Sequence, residues 1–290
     1  MRFIYNPVAG KKQIAAKLDV VIGRFQAQGW EVLPYRTTGE ETGKDFVKLL
    51  GEEKTEALLV AGGDGTIHRV MNGLIQAGTD TPLGIIPSGT ANDFGVHLNL
   101  PLDVEGCCDL VLRGKTAKID VGEANNSYFL NVASAGLLTD IPHQTDVGMK
   151  NVLGRLAYYL KSIEKLPNFK PVPMEIISRK KVYREEVLLF LIVNGKTAGS
   201  FPKIAPKASV IDGMLDVLIF RQSNLGQLFS VFLKLLKGEH INDPLVEYFQ
   251  TEEIIINCPD NVDTDLDGEA GPNFPLEVRV LPRKLKVFLP

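Results

Sequence analysis

The chain has 290 residues, 44% hydrophobic and 23% charged, enough for one large domain or two ordinary ones with a real core. A formal charge of −3 and a pI of about 5.9 exclude the electrostatic footprint of a nucleic-acid binder. No apolar run approaches the roughly 20 residues of a membrane span, and the three cysteines (Cys107, Cys108, Cys258) have neither metal spacing nor an even-numbered framework, which predicts a cytoplasmic protein with reduced thiols.

The opening MRFIYNPVAG is too short in its apolar part to read as a signal peptide. Its RFIY predicts a first strand. From Lys11 a helix is expected with Ile14, Leu18, Val21, Ile22 and Phe25 on one face and Gly29 as its stop. WEVLPYR reads as the next strand and EETGKDFVKLLGE as a helix. ALLVA is a continuous apolar strand, and TIHRVMNGLIQAG a helix with Ile67, Val70, Met71, Leu74 and Ile75 inward. LGIIP and DVEGCCDLVLRG supply a further strand and helix. This alternation predicts an α/β domain with a parallel sheet and helices on both faces.

Near Lys118 the character changes. AKIDVGEANNSYFLNVASAG holds a hairpin signal, Asn125-Asn126, between two apolar runs. Strands then dominate: PVPMEIIS, KVYREEVLLFLIVNG, MLDVLIF, EEIIINC, PLEVRVLP and LKVFL, interrupted by helices at Leu153 to Lys165 and Leu225 to Lys237. The expected division is an α/β domain over residues 1–122 and a mostly antiparallel β-sandwich over 123–290. Any C-terminal segment returning to the first domain is expected to be very short, since only the residues up to Pro290 are there to make it.

The stretch LLVAGGDGTIHRVMNG carries the first chemical signal. Gly62, Gly63 and Gly65 stand where a parallel strand ends, the edge at which open α/β sheets bind ligands. Glycines let the backbone approach a ligand closely, and the helix that follows offers unpaired N–H groups to a phosphate. Thr66 is a candidate cap or phosphate donor; a tight turn with no ligand is the plainer alternative. YNPVAG, Tyr5 to Gly10, and IIPSGTANDF, Ile85 to Phe94, repeat the arrangement after other strands. Three such loops on one sheet edge look like a nucleotide site, with Thr90 and Asn92 as extra donors. A Walker A loop is absent, GEETGK being one residue short. The dinucleotide fingerprint is absent too, because His68 stands where its third glycine belongs.

DNVDTDLDGEAG, Asp260 to Gly271, is dense in carboxylates. It fails as a calcium loop, since Phe274 occupies the position that needs a bidentate glutamate. It reads either as a solvated turn or as the source of a general base, Asp267 or Glu269, facing the glycine loops. Asp212 in SVIDGMLDVLIF is a hairpin turn or an ion site, and Asp120 is equally ambiguous. The helix at Leu225 to Lys237 is amphipathic, read either as packed on the sandwich or as lying on a membrane surface.

Together, YNPVAG, GGDGTIHRVMNG, IPSGTANDF, KIDVGEANNSYFLNVASAG, IDGMLDV and DLDGEAG, in this order along nearly the whole chain, resemble the bacterial soluble diacylglycerol kinase and lipid kinase family, related to sphingosine and ceramide kinases. GGDGT alone is shared with NAD kinases; PSGTANDF and the late DGE point to the lipid kinase branch. The resemblance implies ATP and Mg²⁺, with the active site between the two domains. It implies ATP contacts at Asn6, Pro7, Val8, Ala9, Gly10, Thr37, Gly63, Asp64, Gly65, Thr66, Ile67, His68, Arg69 and Thr90. Asp64 and Asp93 would belong to the Mg²⁺–nucleotide site, and Asp120 to a carboxylate network at the junction. Glu269 would accept the proton, with Asp267 beside it. A structural Mg²⁺ would sit at the Asp212 carboxylate and the carbonyls of Ser209 and Met214.

The family has Asn and Glu where this chain has His68 and Arg69, a local reversal of charge. The implied activity is transfer of the ATP γ-phosphate to a lipid hydroxyl, that of diacylglycerol above others. The implied acceptor is met at the inner membrane face by a soluble, peripheral protein, with a homodimer left open. The rival readings are an NAD kinase-like phosphotransferase and a non-catalytic nucleotide-binding regulator.

Overall fold

The structure is a computed structural model that describes residues 1–10, 13–39, 41, 43–51, 55–136, 171–179, 181–198, 201, 203–260 and 262–290. The expected helix at Leu153 to Lys165 lies outside the described residues. Strands β1 (Arg2–Tyr5), β2 (Leu33–Arg36), β3 (Leu58–Gly62) and β4 (Leu83–Pro87) pair in parallel in the order β2-β1-β3-β4. β3 and β4 are buried along their whole length, which is why ALLVA and LGIIP show no polar alternation.

The helices of this part are α1 (Gln13–Ala16), α2 (Leu18–Gln26), α3 (Gly43–Gly51), α4 (Asp64–Gln76), α5 (Asp93–His97) and α6 (Val104–Leu112). α2 packs beside α6 and α3 beside α4. Right-handed crossovers put these two pairs on opposite faces of the sheet. Lys17 bonds Glu105 at 2.7 Å, and Arg24 pairs with Asp109, so α2 and α6 are also tied by charge. On α4 the expected apolar stripe, Ile67, Val70, Met71, Leu74 and Ile75, is buried. Each such side chain contributes roughly 1.5–3 kcal/mol of burial free energy.

Four local expectations are corrected. The first helix breaks at Lys17, and its Leu18 and Ile22 are only half-buried. α4 starts at Asp64 with extended Gly63 as its N-cap, so Thr66 does not cap it but lies buried in its first turn. The short helix α5 was not expected. Finally, PLEVRVLP and LKVFL form one long strand rather than two. An irregularity between Leu281 and Leu285 absorbs Pro282, and left-handed Arg283 (φ 52°) carries the chain onward.

Beyond α6 come β5 (Thr116–Ala124) and β6 (Ser127–Phe129), joined by Asn125 and Asn126 at φ 45° and 67°, as a two-residue hairpin turn requires. They are followed by β7 (Val132–Gly136), β8 (Val172–Ser178), β9 (Val182–Val193) and β10 (Leu215–Arg221). Helix α7 (Leu225–Lys237) precedes β11 (Val246–Thr251), an edge strand the sequence reading passed over. The last strands are β12 (Glu253–Asn257), β13 (Thr264–Leu266), β14 (Glu269–Ala270) and β15 (Leu276–Phe288). Pairings among β5 to β15 are antiparallel.

This second, sandwich-like part encloses Phe129, Phe190, Ile192, Val217, Ile254 and Val278. Val231 and Leu235 of α7 pack on the other face of β9 and β10, against Leu189, Leu191, Leu218 and Phe220. The run VLLFLIV is therefore apolar throughout because β9 is covered on both sides. β15 links the two halves: Val278 lies in the second core, Val287 pairs with Leu83 of β4, and Leu285, Val287 and Phe288 sit in the first core. Among the described residues no helix is long and apolar enough to cross a membrane.

Candidate active site

The carboxyl ends of β1, β3 and β4 are adjacent, and the three glycine loops that follow them touch one another. Asn6 Nδ2 donates to Thr66 Oγ1 at 3.1 Å, joining the first loop to the second. Gly10 (φ 50°) lies so close to the third loop that an added Cβ would fall 2.3 Å from the Ser88 carbonyl oxygen. Gly63 and Gly89 face each other, and a Cβ on Gly89 would sit 2.6 Å from the Gly63 Cα. Only glycines permit this approach. Asn92 (φ 53°) braces its own loop, accepting from Gly89 N at 2.7 Å and donating to Gly89 O at 3.1 Å. Val8 and Thr90 are exposed at the rim, and Pro7 and Ala9 are half-buried. Thr37 is buried, and its hydroxyl has no hydrogen-bond partner among the described residues.

The acidic stretch lies across from these loops. β13 and β14 form a hairpin turned by Asp267 (φ 55°) and Gly268 (φ 92°). The turn delivers Glu269 to the second glycine loop, where its Oε1 lies 2.7 Å from the position of a Cβ added to Gly65. The Asp267 side chain points elsewhere and is only 2% exposed. Its Oδ1 accepts from Asn131 N (2.8 Å) and Val132 N (2.9 Å), and its Oδ2 from Leu130 N (2.7 Å). His68 Nδ1 meets Oδ2 at 3.1 Å. A carboxylate offers about four acceptor positions, and these contacts occupy them.

His68 and Arg69 make hydrogen bonds outside the three glycine loops, His68 to Asp267. Arg69 donates to Gly39 O at 3.3 Å. Asn72, one turn beyond His68, holds both backbone groups of Tyr128: its Nδ2 donates to Tyr128 O (3.0 Å) and its Oδ1 accepts from Tyr128 N (3.1 Å). Ile67 has its side chain in the core and its amide on Gly63 O. Sequence reasoning passed over Asn72 and Gly89. The four-residue step from His68 to Asn72 along one helix was the available signal.

Comparison with known proteins identifies this architecture. Residues 1–124 match the diacylglycerol kinase catalytic domain, and residues 131–289 match the YegS C-terminal NAD kinase beta sandwich-like domain. A diacylglycerol kinase of Bacillus subtilis (strain 168) is 36% identical over 290 residues, covering 100% of this chain and 96% of the relative. One from Staphylococcus aureus (strain MRSA252) is 34% identical over 289 residues, with coverage of 100% and 92%. The chain belongs to the diacylglycerol kinase family. A crystal structure of a diacylglycerol kinase from Bacillus anthracis str. Sterne superposes with a TM-score of 0.81 at 26% identity, over 100% of this chain and 96% of that one. As a member of this family the chain is an ATP-dependent lipid kinase.

The remaining carboxylates of this lipid kinase occupy two places. Asp64, at the start of α4, accepts from Phe94 N at 3.4 Å. Burial pushes its carboxyl above the usual range, and the neighbouring Asp267 charge adds to that. Asp93 is buried at the start of α5. Asp120 is fully buried at the junction and accepts from Gly213 N (2.7 Å) and Arg283 N (2.8 Å), so it secures both the Asp212 turn and the irregularity in β15. Asp212 is exposed and accepts from Met214 N at 3.1 Å, while Ser209 is half-buried. Among the described residues no group of three or more His, Cys, Asp or Glu is arranged to hold a metal. The two thiols on α6 are inert: burial pushes Cys107 up to about 12 and Cys108 to about 11.

Proposed function

We propose that the chain transfers the γ-phosphate of ATP to the hydroxyl of diacylglycerol, giving phosphatidic acid and ADP, with Glu269 as the proton acceptor. One observation carries the choice of base. Glu269 reaches the nucleotide loops with its carboxylate, whereas Asp267 beside it has its acceptor positions filled by three backbone amides and His68. The relatives' names support diacylglycerol as the acceptor.

In this reading residues 1–122 form the nucleotide half, and 123–290 supply the base and the lipid site. The backbone amides of Gly63 to Thr66, at the start of α4, face the ATP phosphates, with the Asn6 to Gly10 loop beside them and Thr90 and Asn92 at the rim. The buried Thr37 hydroxyl, without a partner among the described residues, suits a nucleotide atom. Asp64 and Asp93 would hold Mg²⁺. The hard oxygen donors suit that ion, and the strained ionisation of Asp64 is what a cation would relieve. Once bound, Mg²⁺ offsets charge on the transferred group. Asp212, with the carbonyls of Ser209 and Met214, is the donor set for a structural Mg²⁺. As the lipid oxygen forms its bond to the γ-phosphorus and the bond to ADP breaks, Glu269 accepts the hydroxyl proton. Positioning and charge do the rest.

We further place the protein in the cytoplasm, working at the inner membrane face. The exposed Phe229 and Leu233 of α7 would meet the lipid surface.

The test is a labelled γ-phosphate transfer assay with Mg²⁺, presenting diacylglycerol, other lipid alcohols and NAD in parallel. Label is expected in diacylglycerol, with Glu269→Gln slower by about 10²-fold or more. Label in NADP alone, or full turnover by Glu269→Gln, would overturn the reading.

A further inference from the structure

One contact in this molecule is not explained by binding ATP or by accepting a proton. His68 lies on the helix that the second glycine loop opens, yet its ring faces the other half of the protein. The oxygens of a carboxylate only accept, so the proton in the His68–Asp267 contact belongs to His68 Nδ1. That N–H meets Oδ2, the oxygen that also takes Leu130 N.

Asp267 is the residue at which the β13–β14 hairpin turns, and Glu269 follows two positions later. The three amides that Asp267 binds all belong to residues 130–132, within the second half of the chain. His68 is the side chain from α4 that grips the same carboxylate. Gly65, His68 and Asn72 line one face of α4 at helical spacing, and each meets the second half: Glu269, Asp267 and Tyr128 respectively. The absence of a side chain at Gly65 leaves room for the Glu269 carboxylate, and His68 sets where the turn carrying it sits.

We infer that His68 is a positioning residue: its Nδ1–H holds the Asp267 turn against α4 and so sets the reach of Glu269 into the nucleotide loops. The inference rests on Glu269 being the proton acceptor. His68 itself touches neither substrate nor the reacting atoms. Without it, Asp267 keeps its three amides and the hairpin persists, but the hairpin loses its side-chain tie to the helix that carries the nucleotide loop.

The donor can be kept or removed by substitution. The amide nitrogen of Asn branches from the same carbon as His Nδ1, so Asn reproduces the donor, whereas Ala removes it. The experiment measures kcat and the KM for ATP in the full-length protein for His68→Ala, His68→Asn, Glu269→Gln and the double variant His68→Ala/Glu269→Gln. ATP binding is titrated directly for each.

His68→Ala should lower kcat by about tenfold or more, since small displacements of a reacting group are costly. The KM and the directly measured Kd for ATP should stay within about twofold. His68→Asn should restore most of the rate. In the Glu269→Gln background the Ala substitution should cost less than about twofold, because the group it positions is gone. Equal slowing in both backgrounds, no slowing by His68→Ala, or no rescue by Asn would overturn the inference. Full activity of Glu269→Gln alone would instead overturn the assignment of the base, so the two failures are distinguishable.

Discussion

Gly65 shows how much chemistry hangs on one missing methyl group. It is a helical residue at an ordinary backbone angle, so conformation does not demand glycine there. What excludes a side chain is the Glu269 carboxylate, 2.7 Å from where the Cβ would be. That carboxylate is the far end of a flexible chain and is able to move. Gly65→Ala should therefore fold without loss of stability, and alanine is favoured over glycine in a helix by roughly 0.5–1 kcal/mol. Its kcat should nevertheless fall by about tenfold or more as the base is pushed aside. Thermal melts and initial rates on one preparation check this: a fall in Tm that accounts for the lost rate would refute it. The Gly65 pattern was legible in GGDGT, but its reason was not, because Glu269 lies about two hundred residues away in the chain.

Among the elements, α7 carries a division of labour along its own surface. Asn224 and Gln227 form a capping box, the Asn cap contributing about 1 kcal/mol, and Gly238 (φ 78°) ends the helix. Val231 and Leu235 face β9 and β10, while Phe229 and Leu233 are 42% and 39% exposed. Both sequence readings of this amphipathic segment thus have residues to stand on, core packing on one side and an apolar outer edge on the other. Phe229→Asp with Leu233→Asp should leave the fold intact and weaken co-sedimentation with diacylglycerol-containing vesicles by about fivefold or more, as each substitution removes apolar contact area. Unchanged co-sedimentation would count against the membrane role of this helix. Periodicity made α7 and α4 readable, whereas α5 and β11 escaped notice. α5 is too short to show a period, and β11 is an edge strand whose four central residues, Glu247 to Gln250, are all half-buried and show no alternation.

Across the whole molecule, two histidines tie segments that are distant in the chain. His97 Nδ1 accepts from Lys196 N at 3.0 Å, and His240 donates from Nε2 to Ile204 O at 2.8 Å, its other nitrogen buried with no partner among the described residues. Burial holds both below the ordinary value of 6.5, helped at His97 by the Lys196 charge. Both are therefore neutral in the folded protein at a pH where the unfolded chain already takes up protons. The stability they contribute is full above 6.5 and is lost as the pH falls below it toward their folded values. Urea midpoints should accordingly drop between about pH 7.5 and about pH 5.5. His240→Gln, which keeps a donor for Ile204, should lessen the drop. A pH-independent midpoint over this range would refute the assignment.

The sequence by itself determined most of the elements in their order, the passage from α/β to strand-rich structure and the three glycine loops. Those features are local: a period, a turn pair or a glycine-bearing strand end announces itself within a dozen residues. The residues alone left Asp267 and Glu269 as alternatives, because neighbours in a turn have the same composition around them, and the family resemblance implied Glu269 as the acceptor. The tertiary structure shows how their surroundings differ: distant amides fill the acceptors of Asp267, while Glu269 lies over Gly65. It likewise joined PLEVRVLP and LKVFL into one strand shared by two cores, and brought His68 of α4 against Asp267 of the second half. Hydrogen-bond saturation and close approach are properties of groups far apart in the chain, and only folding brings such groups together.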